Sequence, residues 1–120
     1  MEEPKQEKKK EAAVLSLTSL ANISRELGNG LVVGMYLNIP TTTLVNFKIT
    51  KDQEDQTDKE MAQKTLFYWK EMRGPAKDRE KVHDLEKALR EMGKNEWAEA
   101  FMERYRNQQE ITLDFFNSIG

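Results

Sequence analysis

The spacing of apolar side chains predicts short helices along almost the whole chain and no strands. Leucine and isoleucine recur at steps of three and four residues over 13–27, which is the repeat of one helix face, and Gly28 ends the pattern. A second apolar run begins at Gly30 and is broken by Pro40, and the threonines that follow are expected to cap a third, short helix. The polar stretch 50–58 is expected to be a loop.

Three further helices follow, each with its own start signal. Thr57 and Glu60 match the capping box that opens a fourth helix, which is expected to end near Gly74. Asp78 and Asn95 are the predicted caps of a fifth and a sixth helix. The inward faces of these helices are predicted to be Met61, Ala62, Thr65, Leu66, Trp69 and Met72, then Val82, Leu85, Leu89 and Met92, and finally Trp97, Ala98, Phe101, Met102 and Tyr105.

Large side chains on these inward faces indicate a single core. Burying a side chain of this size contributes about 2–3 kcal/mol at roughly 25 cal/mol per Å². A core position is favoured for Trp69 over base stacking, because no basic groove accompanies it. At least one of Phe67 and Tyr68, which point elsewhere around the helix, is expected to be half-buried or part of a contact surface. The predicted core anchors are Leu27, Leu66, Trp69, Leu85, Leu89, Trp97 and Phe101.

A chain of 120 residues is the length of one domain. Residues 1–12 carry four basic and four acidic side chains and are predicted to be a solvated tail or linker, which leaves 13–108 as the domain. The segment 109–120 is too apolar for an idle tail. It is expected either to fold back on the helices or to dock a partner.

Composition argues against several classes of function. The chain has no cysteine and a single histidine, His83, so neither a disulfide framework nor a thiolate metal site can form, and a histidine metal site is not expected. The net charge of −2 argues against a general nucleic-acid binder. No apolar run reaches the length of about 20 residues that inserts into a membrane. With no nucleophile motif or phosphate loop, we expect no catalysis and no cofactor.

Charge is distributed unevenly on either side of the fourth helix. Residues 52–60 carry five carboxylates against one lysine, a net of −4, whereas 70–81 carry five cations against three carboxylates, a net of +2. Such patches can meet patches of opposite sign on other molecules, although both could also be ordinary solvated loops. The predicted partner-binding residues are the acidic Asp52, Glu54 and Asp55 and the basic Lys70, Arg73, Lys77 and Arg79.

The order of these signals over residues 14–106 resembles a death domain. The residues that carry the resemblance are Leu27-Gly28, Leu37-Asn38-Ile39, Leu66-x-x-Trp69 and Leu85-x-x-Ala88-Leu89-x-x-x-Gly93. One departure is Leu31, which stands where many members of the family have a tryptophan.

The resemblance implies an all-α fold, a six-helix antiparallel bundle of the death fold. It also implies a cytoplasmic module that binds other death domains, its own copies or an adaptor or receptor, in apoptotic or inflammatory signalling. The alternatives are a caspase-recruitment domain, which shares the fold, and a helical nucleic-acid-binding module. The most basic stretch of the chain contains Gly74-Pro75, which would interrupt a recognition helix.

Overall fold

A computed structural model describes residues 11–119 of the chain, with side chains as far as residue 116. All regular structure in this part is helical, as predicted, and the chain begins with a 3-10 turn at Ala13–Leu15. The α-helices are α1 Leu17–Leu27, α2 Gly30–Tyr36, α3 Thr41–Gln53, α4 Asp58–Met72, α5 Asp78–Glu91, α6 Asn95–Arg106 and α7 Asp114–Ile119. The short α7 has no counterpart among the predicted helices. Most of the predicted tail lies outside the described residues.

Side-chain caps set the beginnings of three helices. The Ser16 hydroxyl accepts from the backbone N–H of Ser19, so the chain turns there and α1 begins four residues later than predicted. Asn29 caps α2 in the same way. The predicted capping box of α4 is confirmed, with Thr57 and Glu60 each accepting from the other's backbone N–H, at 3.1 and 2.8 Å.

The other predicted caps are wrong. Asp78 and Asn95 are the first helical residues of α5 and α6, behind lysines that make no side-chain cap bond. The Asp78 carboxylate instead accepts from the backbone N–H of Ala12 at 2.7 Å, which ties the start of the described chain to α5. No threonine caps α3, because Pro40 stands at its N-cap position and the threonines form its first turn.

Two of the predicted glycine stops are confirmed by left-handed backbone angles. Gly28 has φ of 66° directly after α1, and Gly93 has φ of 82° just beyond α5. An L side chain would be strained at either position, so both glycines end their helices as expected.

Helix α3 is longer than the sequence predicts. It continues to Gln53 and takes in the first part of the stretch expected to be a loop. A lysine and an aspartate one turn apart support this end, since Lys48 Nζ lies 2.9 Å from Asp52 Oδ2. Glu54 is the C-cap of the helix, and the chain turns away at Asp55, which has φ of 54°. Leu44 is the one residue of α3 that is buried, so the helix has no apolar stripe to reveal its length.

The core surrounds α4, against which α1 and α2 both pack, while α5 packs mainly on α6. Five of the predicted anchors are buried: Leu66, Trp69, Leu85, Leu89 and Phe101. Leu27 and Trp97 are half-buried and pack against this cluster. The prediction for Met72 is wrong, because it is the last residue of α4, where the chain enters an exposed turn, and it is 36% exposed.

Candidate interaction surfaces

The predicted basic residues lie around the turn between α4 and α5, and two of them are engaged within the chain. Arg73, the C-cap of α4, donates from Nε to Asp84 Oδ2 at 2.9 Å. Lys70 Nζ lies 2.7 Å from Glu11 Oε2, which fastens the N-terminal segment to α4. These two cations are therefore already partly neutralised by neighbours.

Lys77 and Arg79 differ from them. Both are exposed, and no carboxylate of residues 11–119 lies within 4.0 Å of either side-chain charge. Arg79 and Arg73 share a shallow depression with His83 and two carboxylates. The imidazole of His83 is 72% exposed and lies 3.8 Å from Glu86, as expected of a surface residue. Lys77 and Arg79 are thus the exposed cations at this turn without a carboxylate partner among the described residues, and we call them the basic pair.

The predicted acidic residues lie where α3 ends. Asp52 is paired with Lys48, and Glu54 accepts a hydrogen bond from Gln56 Nε2 at 3.2 Å. Asp55 is exposed, has a left-handed backbone conformation in the turn, and has no partner within the described chain. No hydrogen bond or ion pair within residues 11–119 joins these carboxylates to the basic pair. The two groups are separate features of the surface.

Two lysines missed by the charge count reduce the negative charge of this region. Lys48 pairs with Asp52, and Lys51 Nζ lies 3.3 Å from Asp58 Oδ1. The spacing of four residues between Lys48 and Asp52 was a usable signal, but it required knowing that α3 extends so far.

An arginine that the sequence did not single out joins α5 to α6. Arg90 donates from Nε to Glu86 at 3.0 Å and from Nη2 to Glu99 at 3.2 Å. These hydrogen bonds, first the one to Glu86 and then the one to Glu99, raise the pKa of Arg90 above its ordinary value. The guanidinium thus links the two helices through two charge-assisted hydrogen bonds.

Aromatic side chains form a shallow groove between α3 and α4. Phe47 and Tyr68 meet edge to face with their centroids 5.5 Å apart, and Phe67 lines the same groove. Both Phe67 and Tyr68 are half-buried, in line with the sequence prediction. Lys64 lies over the ring of Phe47 at 5.4 Å.

Residues 110–116, which we call the strap, lie across α1 and α6. Ile111 is fully buried, and both of its backbone polar groups are bonded by side chains of α1. Its N–H donates to the hydroxyl of Ser19 at 2.9 Å, and its carbonyl accepts from Nδ2 of Asn22 at 2.9 Å. Side chains from the first helix thus hold a segment some ninety positions further along the chain.

The rest of the strap is held by α6. Arg104 donates from Nη1 to the carbonyl of Glu110 at 2.7 Å, and its guanidinium lies 5.4 Å from the ring centre of Phe115. Phe115 is buried, and Phe116 packs against Trp97 with centroids 5.0 Å apart. No sequence signal identified Ser19, Asn22 or Arg104 as partners of this segment, because the contacts join distant parts of the chain.

No helix within residues 11–119 combines the length and the apolar composition that crossing a bilayer requires. In the same range, no three histidine, aspartate or glutamate side chains converge as metal ligands would. Comparison of the chain with protein-family models, with curated proteins and with solved structures found no match in any of the three.

Proposed function

We propose that the chain is a protein-interaction module of the death-domain type, which assembles with other death domains in apoptotic or inflammatory signalling in the cytoplasm. The observation that carries this proposal is the placement of the residues on which the resemblance rests. Leu66 and Trp69 of α4 and Leu85, Ala88 and Leu89 of α5 are all buried in one core. Their burial in a common core supports the proposal.

Helices α1 to α6 supply the six helices of the proposed death fold, from Leu17 to Arg106. The departure at Leu31 is compatible with it, since this side chain is half-buried and packs against the core. Neither catalysis nor a cofactor forms part of the proposed function.

The proposed mechanism is head-to-tail association through charge. The basic pair has no carboxylate partner in the described chain, and Asp55 at the end of α3 has no cation. Opposite charges beyond the two ends of α4, which we call the acidic face and the basic face, let the basic face of one copy meet the acidic face of the next. Such complementarity steers encounter and sets specificity, and salt screens it.

Sedimentation velocity over a range of protein concentrations, at low and high salt, tests this mechanism. We expect species larger than a dimer that grow with concentration and shrink when salt is added. Arg79→Glu should suppress this growth without lowering stability, because Arg79 lies in the first turn of α5, where a negative side chain is favoured. Arg25→Glu, a change of the same charge at another exposed arginine, is the control: Arg25 lies in the last turn of α1, so the variant should lose a little stability yet assemble normally.

A chain that remains monomeric under all these conditions would rule out self-assembly. The proposed function would then require binding to a different death domain, tested by pull-down with wild type and Arg79→Glu side by side. Equal recovery of the wild type and Arg79→Glu, or recovery of neither, would contradict the proposed function.

A further inference from the structure

The strap is bound as a peptide ligand is bound. Side chains of Ser19 and Asn22 hold the N–H and the carbonyl of Ile111, and Arg104 holds the next carbonyl towards the N-terminus. The strap therefore contributes backbone groups, whereas the helices contribute the side chains that recognise them. Recognition of this kind does not depend on the strap and the helices being parts of the same molecule.

Side chains of the strap add specificity to this backbone recognition. Ile111 and Phe115 are buried, and Phe116 packs on Trp97. The Glu110 carboxylate accepts from the Ser16 hydroxyl at 2.9 Å. The groove, formed by Ser16, Ser19, Asn22, Trp97 and Arg104, thus fits an acidic residue followed by isoleucine and, four and five positions further on, two phenylalanines.

A short connection is all that joins the strap to the helix before it. Residues 107–109 are exposed, and Gln108 has the left-handed φ of 56°. The six residues of α7 are too few for a helix that is stable by itself in water. Order in the strap therefore depends on a groove to bind.

We propose that the groove also accepts the strap of a second copy, so that two molecules exchange straps and form a two-fold dimer. The second copy is the partner of choice because its residues 110–116 are identical to the peptide that the groove already holds. The exchanged dimer makes the same strap contacts as the single chain. The equilibrium between monomer and dimer therefore depends on the protein concentration and on the length of the connection. Strap exchange uses none of the residues of the basic pair, and it is independent of the death-domain function.

Shortening the connection tests the exchange in the full chain. Deleting Gln108 and Gln109 removes up to about 7 Å of reach, so the strap can no longer return to its own groove. We expect this variant to be a folded dimer in sedimentation velocity, at low and high salt alike, whereas charge-driven assembly would dissolve in salt. The same deletion combined with Ile111→Asp is the control and should be monomeric. A deletion variant that is monomeric, or that fails to fold, would overturn strap exchange.

A second measurement tests the groove directly. The full chain carrying Ile111→Asp and Phe115→Asp, whose own strap is released, is titrated with a fluorescent peptide of residues 107–120. We expect saturable binding that weakens at least tenfold when Asn22→Ala is added to the chain or Ile111→Asp to the peptide. Equal binding of the wild-type and substituted peptides would show that the groove does not recognise the strap. Should the strap-released chain not fold, the deletion variant decides alone, because it retains every residue of the strap.

Discussion

Helices α3 and α4 follow one another, have similar lengths and are held in different ways. Helix α4 buries Met61, Ala62, Thr65, Leu66 and Trp69, whereas α3 buries one residue, Leu44. Packing of one face therefore stabilises α4, and α3 depends much more on local contacts such as the pair of Lys48 and Asp52. The comparison shows that helix length alone says little about how strongly a helix is anchored.

The difference also bears on where the proposed contact surfaces lie. Glu54 and Asp55 follow the weakly packed α3, while the basic pair follows α4, which buries five residues. Loosely packed elements open at a lower free energy than core elements do. We therefore expect the acidic face to adapt its shape to a partner more readily than the basic face.

The largest expected effect comes from removing buried volume from α4. Leu66 is fully buried, so Leu66→Ala should lower the free energy of unfolding by about 2–5 kcal/mol. Ile49→Ala in α3 is the matched change, and since Ile49 is 47% exposed we expect a loss of less than about 0.5 kcal/mol. Urea unfolding followed by circular dichroism measures both. Similar losses for the two variants would show that α3 is anchored as firmly as α4.

The sequence predicts well-buried helices such as α4 better than weakly packed ones such as α3. Burial leaves a regular stripe of apolar residues, which is why Leu66, Trp69, Leu85 and Leu89 were identified correctly. The apolar residues of α3 do not line up on one face, so its last turn resembles a loop in the sequence.

Features that depend on distant residues left no pattern at all. Ser19 and Asn22 are ordinary polar residues of an amphipathic helix until the strap reaches them. Asp78 was an equally reasonable helix cap, but its carboxylate binds the backbone of Ala12. In the proposed charge surface, no sequence pattern distinguishes Arg73, which has a partner, from Arg79, which has none among the described residues.

Glycines of α2 provide a test of intermediate size, because Gly30 faces the backbone of α4, whereas Gly34 faces side chains, chiefly Leu44 of α3 and also Thr65 of α4. A Cβ on Gly30 would lie 2.9 Å from the backbone oxygen of Met61, whereas a Cβ on Gly34 would lie 2.5 Å from a methyl group of Leu44. Backbone in α4 cannot move aside, so Gly30→Ala should lower the free energy of unfolding by about 1–3 kcal/mol.

The loss from Gly34→Ala should be smaller despite the shorter distance. The atom met is the terminal methyl group of a side chain, which yields more easily than backbone even though Leu44 is buried, and alanine within a helix is favoured over glycine by about 0.5–1 kcal/mol. The same urea experiments measure the difference between the two variants. A greater loss for Gly34→Ala would mean that the side chains of Leu44 and Thr65 are held as rigidly around α2 as the backbone of α4 is.

The smallest effect concerns the threonines at the beginnings of the two helices. Thr57 opens α4 with a side-chain cap, so Thr57→Ala should lower the free energy of unfolding by about 1 kcal/mol. Thr41 opens α3 without a cap bond, so Thr41→Ala should change it by no more than about 0.5 kcal/mol. Thr57→Ser keeps the hydroxyl and should restore most of the stability, which separates loss of the hydrogen bond from loss of the methyl group. If Thr57→Ser proves as destabilising as Thr57→Ala, the cap is not what stabilises the start of α4, and packing along its buried face must account for all of the difference between the two helices.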